Sequence, residues 1–271
     1  MSFDYDEYLR LDKFPLFFCS GCGDGIVLKA TLRAIDHIGL DKNKVMMVSG
    51  IGCSSRTSGY VDVNTLHTTH GRALTFATGI KMVRPDLHVI VVTGDGDCTA
   101  IGGNHFIHAA RRNIDITVLL YNNWIYGMTG GQVSPATPTG ACASTAQFGS
   151  IEPNFDIVKL AQGAGASFAA RETVARPVPL ERLIEQAIRR KGFSLVEILT
   201  PCPTTYGRRN KAGDAVQMVE YLRTHSVSQA RYAGLEGEDK DKAIVTGTFV
   251  DEERPEYTDE YRKLVDRVRT R

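Results

Sequence analysis

Short apolar runs of strand length alternate with longer amphipathic segments through the first 200 residues. Residues 24–38 have the apolar spacing of a helix that buries one face, and residues 45–48 form an apolar run after it. A helix is predicted over 72–83, where Pro85 closes it, and a strand over 87–93. Buried parallel strands are continuous apolar runs, because both of their faces are covered. The pattern predicts an α/β fold with a doubly wound, mainly parallel sheet.

The same alternation continues to residue 199. Helices are predicted over 102–112, 155–162 and 180–191, and strands over 114–121, 166–170 and 193–199. Ligands of such folds bind at the carboxyl ends of the strands. We therefore assign residues 1–203 to one domain and expect its site at that edge of the sheet.

Residues 204–271 have a different composition. They hold 13 Lys or Arg and 13 Asp or Glu, with few long apolar runs, and are too polar to form a separate core. We expect a polar, solvated C-terminal extension with helices near 214–224 and 259–269, packing on a partner subunit; disorder is the alternative.

Composition and charge exclude several classes of function. The chain is 42% hydrophobic and 23% charged, and its formal net charge of +1 gives no reason to expect nucleic acid binding. No apolar run approaches the roughly 20 residues that cross a bilayer. Residues 1–18 contain acidic side chains and lack the pattern of a signal peptide, so we expect a cytoplasmic protein without a membrane partner.

A glycine-acid turn follows the strand predicted over 87–93. Gly94, Asp95, Gly96 and Asp97 form this turn, and an asparagine pair ending at Asn123 follows the next predicted strand. A right-handed βαβ unit brings the ends of these strands to the same edge of the sheet. The oxygens of Asp95 and Asn123 are hard ligands of the kind that Mg²⁺ prefers when it bridges to phosphates. An ordinary turn and an ordinary loop are the alternative.

At these residues the sequence resembles the thiamine diphosphate enzymes. The resemblance implies that Asp95 and Asn123 bind Mg²⁺ through their side chains and that Ile125 binds it through its carbonyl oxygen. The run Tyr126–Gln132 is similar to the narrower family of 2-oxoacid:ferredoxin oxidoreductases. The resemblance also implies cofactor contacts for Ile51, Gly52, Ser54, His70, Gly94, Gly96, Asp97, Gly127, Met128 and Thr129.

The cysteines agree with that narrower family. Without an export signal, the Cys19–Cys22 pair indicates metal or redox chemistry rather than a disulfide framework. Cys53 and Cys202 follow two other predicted strands, and four thiolates on converging loops suit a [4Fe-4S] cluster. The β subunits of the family have this layout, which implies that these four cysteines are the cluster ligands. A structural zinc site is the alternative.

The resemblance implies a β subunit that is active only with its α subunit. The α subunit carries the pyrimidine-binding domain, and the assembly is expected to be a dimer of αβ heterodimers. The implied reaction interconverts 2-oxoglutarate, coenzyme A and oxidised ferredoxin with succinyl-CoA, CO₂ and reduced ferredoxin, and its reverse fixes CO₂. The alternatives are another 2-oxoacid such as pyruvate, a non-redox thiamine decarboxylase or carboligase, and a non-catalytic electron-transfer or zinc-stabilised subunit.

Three residues are candidates for substrate choice and catalysis. Arg56 offers a cation that pairs with a distal carboxylate, and Met128 stands where pyruvate-specific relatives tend to have a polar residue. Together they favour 2-oxoglutarate. A surface or subunit-interface salt bridge is the alternative for Arg56, and plain packing is the alternative for Met128. His70, in the His-Gly-Arg-Ala run that resembles the family, is expected to contact the diphosphate or to relay a proton.

Overall fold

A single eight-stranded sheet organises the computed structural model, which describes residues 3–270. Its strands are β1 (Val45–Ser49), β2 (Asn64–His67), β3 (His88–Gly94), β4 (Thr117–Asn122), β5 (Phe168–Thr173), β6 (Ser194–Leu199), β7 (Ser226–Ser228) and β8 (Ile244–Asp251). They are ordered β2-β1-β3-β4-β6-β5-β8-β7, and β5 and β8 pair antiparallel while the other neighbours are parallel. The predicted α/β class with a mainly parallel sheet is confirmed.

Helices cover both faces of this sheet. They are α1 (Asp24–Ile38), α2 (Thr57–Tyr60), α3 (Ala73–Val83), α4 (Gly103–Arg111), α5 (Ile157–Ala164), α6 (Pro177–Arg189), α7 (Arg208–Asn210), α8 (Ala215–His225), α9 (Gln229–Tyr232), α10 (Gly237–Lys242) and α11 (Tyr257–Arg269). Helices α1 and α6 pack together on one face, and α3, α4 and α5 pack on the other. None of the helices within 3–270 has the length and apolar character of a membrane span.

The core lies in two layers, one on each face of the sheet. Leu119 and Tyr121 of β4 point into the layer under α1 and α6, whereas Val118 and Leu120 point into the other layer. Successive side chains of a strand point to opposite faces, so both layers need apolar residues at consecutive positions. This requirement explains why the central strands appear in the sequence as unbroken apolar runs.

The βαβ unit predicted around the glycine-acid turn is present. Strands β3 and β4 are parallel neighbours, and Gly94 is the register partner of Tyr121. One wide π-helical turn, Asp97–Ile101, connects the glycine-acid turn to α4. Such turns are rare and often lie at functional sites. The ends of both strands therefore meet at the carboxyl edge of the sheet.

The prediction of a solvated C-terminal extension was wrong in one respect. The two predicted helices are present as α8 and α11, but β7 and β8 also lie in this segment and add two strands to the main sheet. Thr246, Gly247 and Thr248 interrupt the apolar positions of β8 and hid this strand in the sequence. Its backbone pairs with β5, and Val250 adds to the core layer under α3, α4 and α5. The edge strand β2 was missed because it has only four residues, of which Leu66 alone is apolar.

Candidate cofactor site and thiol cavity

One cavity of about 150 Å³ opens at the carboxyl ends of β1, β3 and β4. We call it the diphosphate cavity. Its wall contains every residue for which the sequence implied a cofactor contact: Ile51, Gly52, Ser54, His70, Gly94, Asp95, Gly96, Asp97, Asn123, Ile125, Gly127, Met128 and Thr129. The structure thus brings together side chains from four separate loops, and their role in binding a cofactor stays a prediction.

Asp95 is the buried carboxylate of this cavity. Only 3% of its surface is exposed, and its Oδ2 accepts a hydrogen bond of 2.5 Å from the Ser134 hydroxyl. Burial raises the pKa of Asp95 to about 7, while the Ser134 hydrogen bond opposes that rise. A buried carboxylate of this kind has much to gain from a cation, since Mg²⁺ would supply the charge that its surroundings lack.

Asp97 fastens the loops of the cavity to one another. Its Oδ1 accepts hydrogen bonds from the backbone of Gly71 at 2.7 Å and of Ile51 at 3.3 Å, and lies 2.5 Å from His70 Nδ1. Its Oδ2 accepts from the Thr93 hydroxyl at 2.7 Å. The sequence implied a cofactor contact for Asp97. The structure shows that its carboxylate also connects its own turn to the loop after β1 and to the loop before α3.

Two glycines allow close approach in this region. A Cβ at Gly50 would lie 1.8 Å from Asp97 Oδ2, and a Cβ at Gly96 would lie 2.4 Å from the Tyr126 ring. Both distances are far below van der Waals contact, so a larger residue would displace the brace or the ring. The Tyr126 hydroxyl then donates to the Gly96 carbonyl oxygen at 3.0 Å. This contact ties the two predicted cofactor motifs together.

The turn after β4 presents Asn123 and Ile125 to the cavity. Asn123 Oδ1 accepts from the backbone of Ile125 at 3.3 Å, and Asn122 Oδ1 accepts from the backbone of Trp124 at 3.1 Å. Trp124 has a φ of +64°, in the left-handed region that bulky residues rarely adopt. The two asparagines therefore have different roles: Asn122 shapes the turn, and Asn123 faces the cavity.

The four predicted cluster cysteines line a second cavity, of about 260 Å³, which we call the thiol cavity. Cys19 and Cys22 come from the loop before α1, Cys53 from the loop after β1 and Cys202 from the loop after β6. The two cavities are neighbours, since Cys53, Asn123, Gly127 and Met128 line both. A Cβ at Gly127 would lie 3.5 Å from the sulfurs of both Cys53 and Cys202 and 3.7 Å from Asn123 Nδ2. Gly127 therefore forms part of the wall between the diphosphate cavity and the thiol cavity.

Two of these thiols, Cys22 and Cys53, lie in surroundings that disfavour their charged form. Burial, followed by the nearby charge of Asp24, raises the pKa of Cys22 well above its ordinary value and that of Cys53 to about 12. Cys202 Sγ lies 2.9 Å from the Thr205 hydroxyl. Thiolates are the form that binds metal, so a cationic group in the cavity would have to stabilise them.

The spacing of the sulfurs bears on the kind of metal. Ligand sulfurs at about 2.3 Å from a tetrahedral zinc lie roughly 4 Å from one another. Among residues 3–270, no three of the cysteine sulfurs lie within 4.8 Å of one another. At most two of these sulfurs therefore meet at the spacing that a single zinc ion requires. Cys98 is buried and Cys142 half-buried, and neither lines it.

Arg56 and His70 differ in their positions. His70 lies on the diphosphate cavity and pairs with Asp97, as described above. Arg56 is exposed at the start of α2, and its guanidinium lies 5.3 Å from the centroid of the Phe17 ring. It is absent from the lining of both cavities. Met128 is 42% exposed at the mouth that the cavities share.

Three residues of the site were missed in the sequence. Ser134 contacts Asp95, and Asp24 and Tyr121 line the diphosphate cavity with 1% exposure each. Asp24 Oδ2 and the Tyr121 hydroxyl lack a hydrogen-bond partner within the described residues. The position of Asp24, two residues after Cys22, is the one signal that could have indicated it.

Comparison with known proteins agrees with this geometry. A family profile described as "Thiamine pyrophosphate enzyme, C-terminal TPP binding domain" matches residues 50–198. The chain is 50% identical to the 2-oxoglutarate synthase subunit KorB of Methanocaldococcus jannaschii, over 97% of this chain and 98% of that protein. The chain belongs to the KorB family of 2-oxoglutarate synthase subunits. It therefore has the thiamine diphosphate-binding domain and is a subunit of an oxidoreductase.

This KorB-family chain is also similar to a second KorB subunit and to a solved structure. It is 47% identical to the 2-oxoglutarate synthase subunit KorB of Methanothermobacter marburgensis, over 94% of this chain and 90% of that protein. A solved structure, described as 2-oxoglutarate:ferredoxin oxidoreductase from Magnetococcus marinus with 2-oxoglutarate, coenzyme A and succinyl-CoA bound, superimposes with a TM-score of 0.87. The sequence identity is 31%, and the match covers 98% of this chain and 91% of that one.

Proposed function

We propose that this KorB-family chain is the subunit of a 2-oxoglutarate:ferredoxin oxidoreductase that binds Mg²⁺-thiamine diphosphate and a [4Fe-4S] cluster side by side. The reaction interconverts 2-oxoglutarate, coenzyme A and oxidised ferredoxin with succinyl-CoA, CO₂ and reduced ferredoxin. The observation that carries the proposal is the wall shared by the two cavities at Gly127. It supports direct transfer of electrons between neighbouring groups.

The diphosphate cavity fits Mg²⁺-diphosphate. Asp95 is a buried carboxylate with a single side-chain donor, and Asn123 and the Ile125 carbonyl lie on the same wall. These three oxygens would hold the metal, and the remaining positions of an octahedral ion would go to phosphate and water. His70 would contact the diphosphate at the cavity mouth, held by Asp97.

The thiol cavity fits a group larger than one metal ion. Cys19, Cys22, Cys53 and Cys202 surround a volume of about 260 Å³, and the spacing of their sulfurs disfavours zinc. These residues would hold a [4Fe-4S] cluster, whose chemistry is to accept and release single electrons.

An α-type partner would complete the site, and we expect a dimer of such heterodimers. Activation of thiamine diphosphate needs a carboxylate at its aminopyrimidine ring. The carboxylates on the diphosphate cavity wall, Asp24, Asp95 and Asp97, are all buried within this chain. A partner at the cavity mouth would supply the missing group and cover Met128 and Ile51, which are 42% and 38% exposed.

Arg56 would act in substrate choice only through the assembled mouth of the site. Its side chain lies outside both cavity walls, beside the Phe17 ring that borders the thiol cavity. A partner that closes over Phe17 would also bring this cation toward the substrate entrance. The distal carboxylate of 2-oxoglutarate is a suitable partner for it.

One preparation tests the proposal. The chain is co-expressed with its partner, purified without oxygen, and analysed for iron, sulfide and thiamine diphosphate. We expect broad visible absorption, about four irons per chain as in a cubane cluster, and reduction of ferredoxin that depends on 2-oxoglutarate and coenzyme A. A colourless protein that binds thiamine diphosphate and releases CO₂ without reducing ferredoxin would contradict the redox function and favour a decarboxylase.

A further inference from the structure

A row of four side chains crosses the sheet from the C-terminal extension to the turn that carries Asn123. The row begins at Phe249 on β8, continues through Arg171 on β5 and Glu197 on β6, and ends at Asn122 on β4. These four strands are consecutive neighbours in the sheet. The proposed function gives none of the four a role.

The contacts along the row are directed and largely buried. The Arg171 guanidinium lies 5.5 Å from the centroid of the Phe249 ring, and its Nε donates to Glu197 Oε2 at 2.7 Å. The other carboxylate oxygen, Oε1, accepts from Asn122 Nδ2 at 2.8 Å. Arg171 and Glu197 are register partners, and their side chains are 14% and 3% exposed. The backbone therefore fixes their separation, and charge-assisted hydrogen bonds fix their orientation.

The Asn122 side chain connects Glu197 to the turn after β4. Its Nδ2 is held by Glu197, and its Oδ1 accepts from the backbone of Trp124 at 3.1 Å. The Trp124 carbonyl accepts from the Thr137 hydroxyl at 2.5 Å. A bulky residue at positive φ persists only where its surroundings over-determine it. The Asn122 amide is one of the groups that hold Trp124 there, and Asn123 and Ile125 lie on either side of it.

We propose that Glu197, oriented by Arg171, is a positioning residue for Mg²⁺-diphosphate binding. It holds the Asn122 amide, and through that amide it holds the turn that presents Asn123 and the Ile125 carbonyl. This inference rests on the proposed function, because it requires that turn to bind Mg²⁺. Partners of metal ligands typically alter metal affinity by about 10–100-fold. Glu197 acts one residue further away, through Asn122, which is not itself a proposed ligand, so its loss should weaken Mg²⁺ binding by about three- to tenfold.

Glu172 provides a matched control on the next position of β5. Its carboxylate is 2% exposed and lies 3.6 Å from Arg176, so it too is a buried acid beside an arginine. It points to the opposite face of the sheet from its neighbour Arg171. Replacing Glu172 by Gln removes a buried charge without touching the Asn122–Ile125 turn.

The test titrates Mg²⁺ against thiamine diphosphate retention in the complex of the full chain with its partner. Relative to wild type, Glu197→Leu should raise the Mg²⁺ concentration for half-maximal retention by about three- to tenfold, at or below the lower end of the effect of a direct partner of a ligand. Glu197→Gln should give a smaller rise, because its amide oxygen still accepts from Asn122. Glu172→Gln should stay within about twofold.

A second readout follows the turn itself. Trp124 is the one tryptophan of the chain, so the emission of the full chain alone reports its surroundings. Both Glu197 variants should change that emission before any ligand is added, whereas Glu172→Gln should not. This readout separates a displaced turn from a general loss of stability.

The outcomes are separable. Wild-type Mg²⁺ dependence and Trp124 emission in Glu197→Leu would overturn the inference while leaving the proposed function in place. A shift in Glu172→Gln equal to that in Glu197→Leu would also overturn it, because the effect would then belong to any lost buried charge. Wild-type complex that retains no thiamine diphosphate with Mg²⁺ would overturn both this inference and the proposed function.

Discussion

The diphosphate cavity and the thiol cavity share a wall but are built in opposite ways. In the first, hydrogen bonds within the protein hold the wall: Asp97 accepts from the backbone of Ile51 and Gly71 and from the Thr93 hydroxyl, and Asp95 accepts from Ser134. In the second, the nearby charge of Asp24 adds to burial in raising the pKa of Cys53. Contacts within the fold therefore hold the loops of the first cavity in place, whereas Cys22 and Cys53 of the second need a cationic group to stabilise their charged form.

The largest expected effect is that of Asp95→Ala on the diphosphate cavity. The change removes a buried anionic ligand of Mg²⁺, so the purified complex should retain no thiamine diphosphate. Its iron content should stay near that of wild type, because the thiol cavity does not include Asp95. Cofactor analysis of the same preparation measures both. Unchanged thiamine diphosphate content would refute the assignment of Asp95.

The reciprocal change is Cys202→Ala in the thiol cavity. We expect most of the iron to be lost, since a cubane cluster needs its thiolates. Binding of thiamine diphosphate should change only a few-fold, because Asp97 and Ser134 do not depend on the cluster. Cys142→Ala is the control, since Cys142 lies outside the thiol cavity. A cofactor loss as complete as the iron loss would show that the cavities are not independent.

Gly127→Val should damage both cavities at once. A Cβ at this position is 3.5 Å from the sulfurs of Cys53 and Cys202, and the added methyl groups must move closer to them or to Asn123. Overpacking of this kind costs about 1–3 kcal/mol. Parallel decreases in iron content and in thiamine diphosphate affinity would support Gly127 as the wall that the two cavities share. Gly127→Ala should be milder, because its Cβ makes ordinary contacts; loss in one cavity alone would contradict the shared wall.

The smallest expected effect is that of Arg56→Ala. We expect KM to rise several-fold for 2-oxoglutarate and little for pyruvate, because only the former has a distal carboxylate. Stability should hardly change, since Arg56 is exposed and its contact with Phe17 is a surface cation–π interaction. Steady-state assays of the assembled enzyme with both substrates decide the matter. Equal changes for the two substrates would leave Arg56 with a role in packing only.

Much of the diphosphate cavity was predictable because its signals are local. The turn around Asp95 and the turn around Asn123 each directly follow an apolar strand, and parallel neighbours bring such ends together. The roles of Asp97 and Ser134 were not predictable, because each depends on contacts between distant loops. The same holds for Asn122, whose partner Glu197 lies 75 residues away.

The extension was hard to predict because its structure depends on backbone pairing. Strand β8 has Thr246, Gly247 and Thr248 at its centre, where they interrupt the apolar positions from which a strand is predicted, and its backbone pairs with β5. Helix α8 was easier, since Asp214 and Gln217 form a capping box at its start. Local signals therefore revealed the two longest helices of this segment, α8 and α11, and missed its three short helices and its strands.

The extension also governs how the sheet ends. Strand β8 covers the edge of β5, and the outermost strands β7 and β2 are only 3 and 4 residues long. A long uncovered edge is a template for pairing with another chain, and short edge strands reduce that hazard. A chain shortened to residue 203 would leave the six-residue strand β5 uncovered. The charged extension therefore protects the sheet against edge-to-edge pairing with another chain.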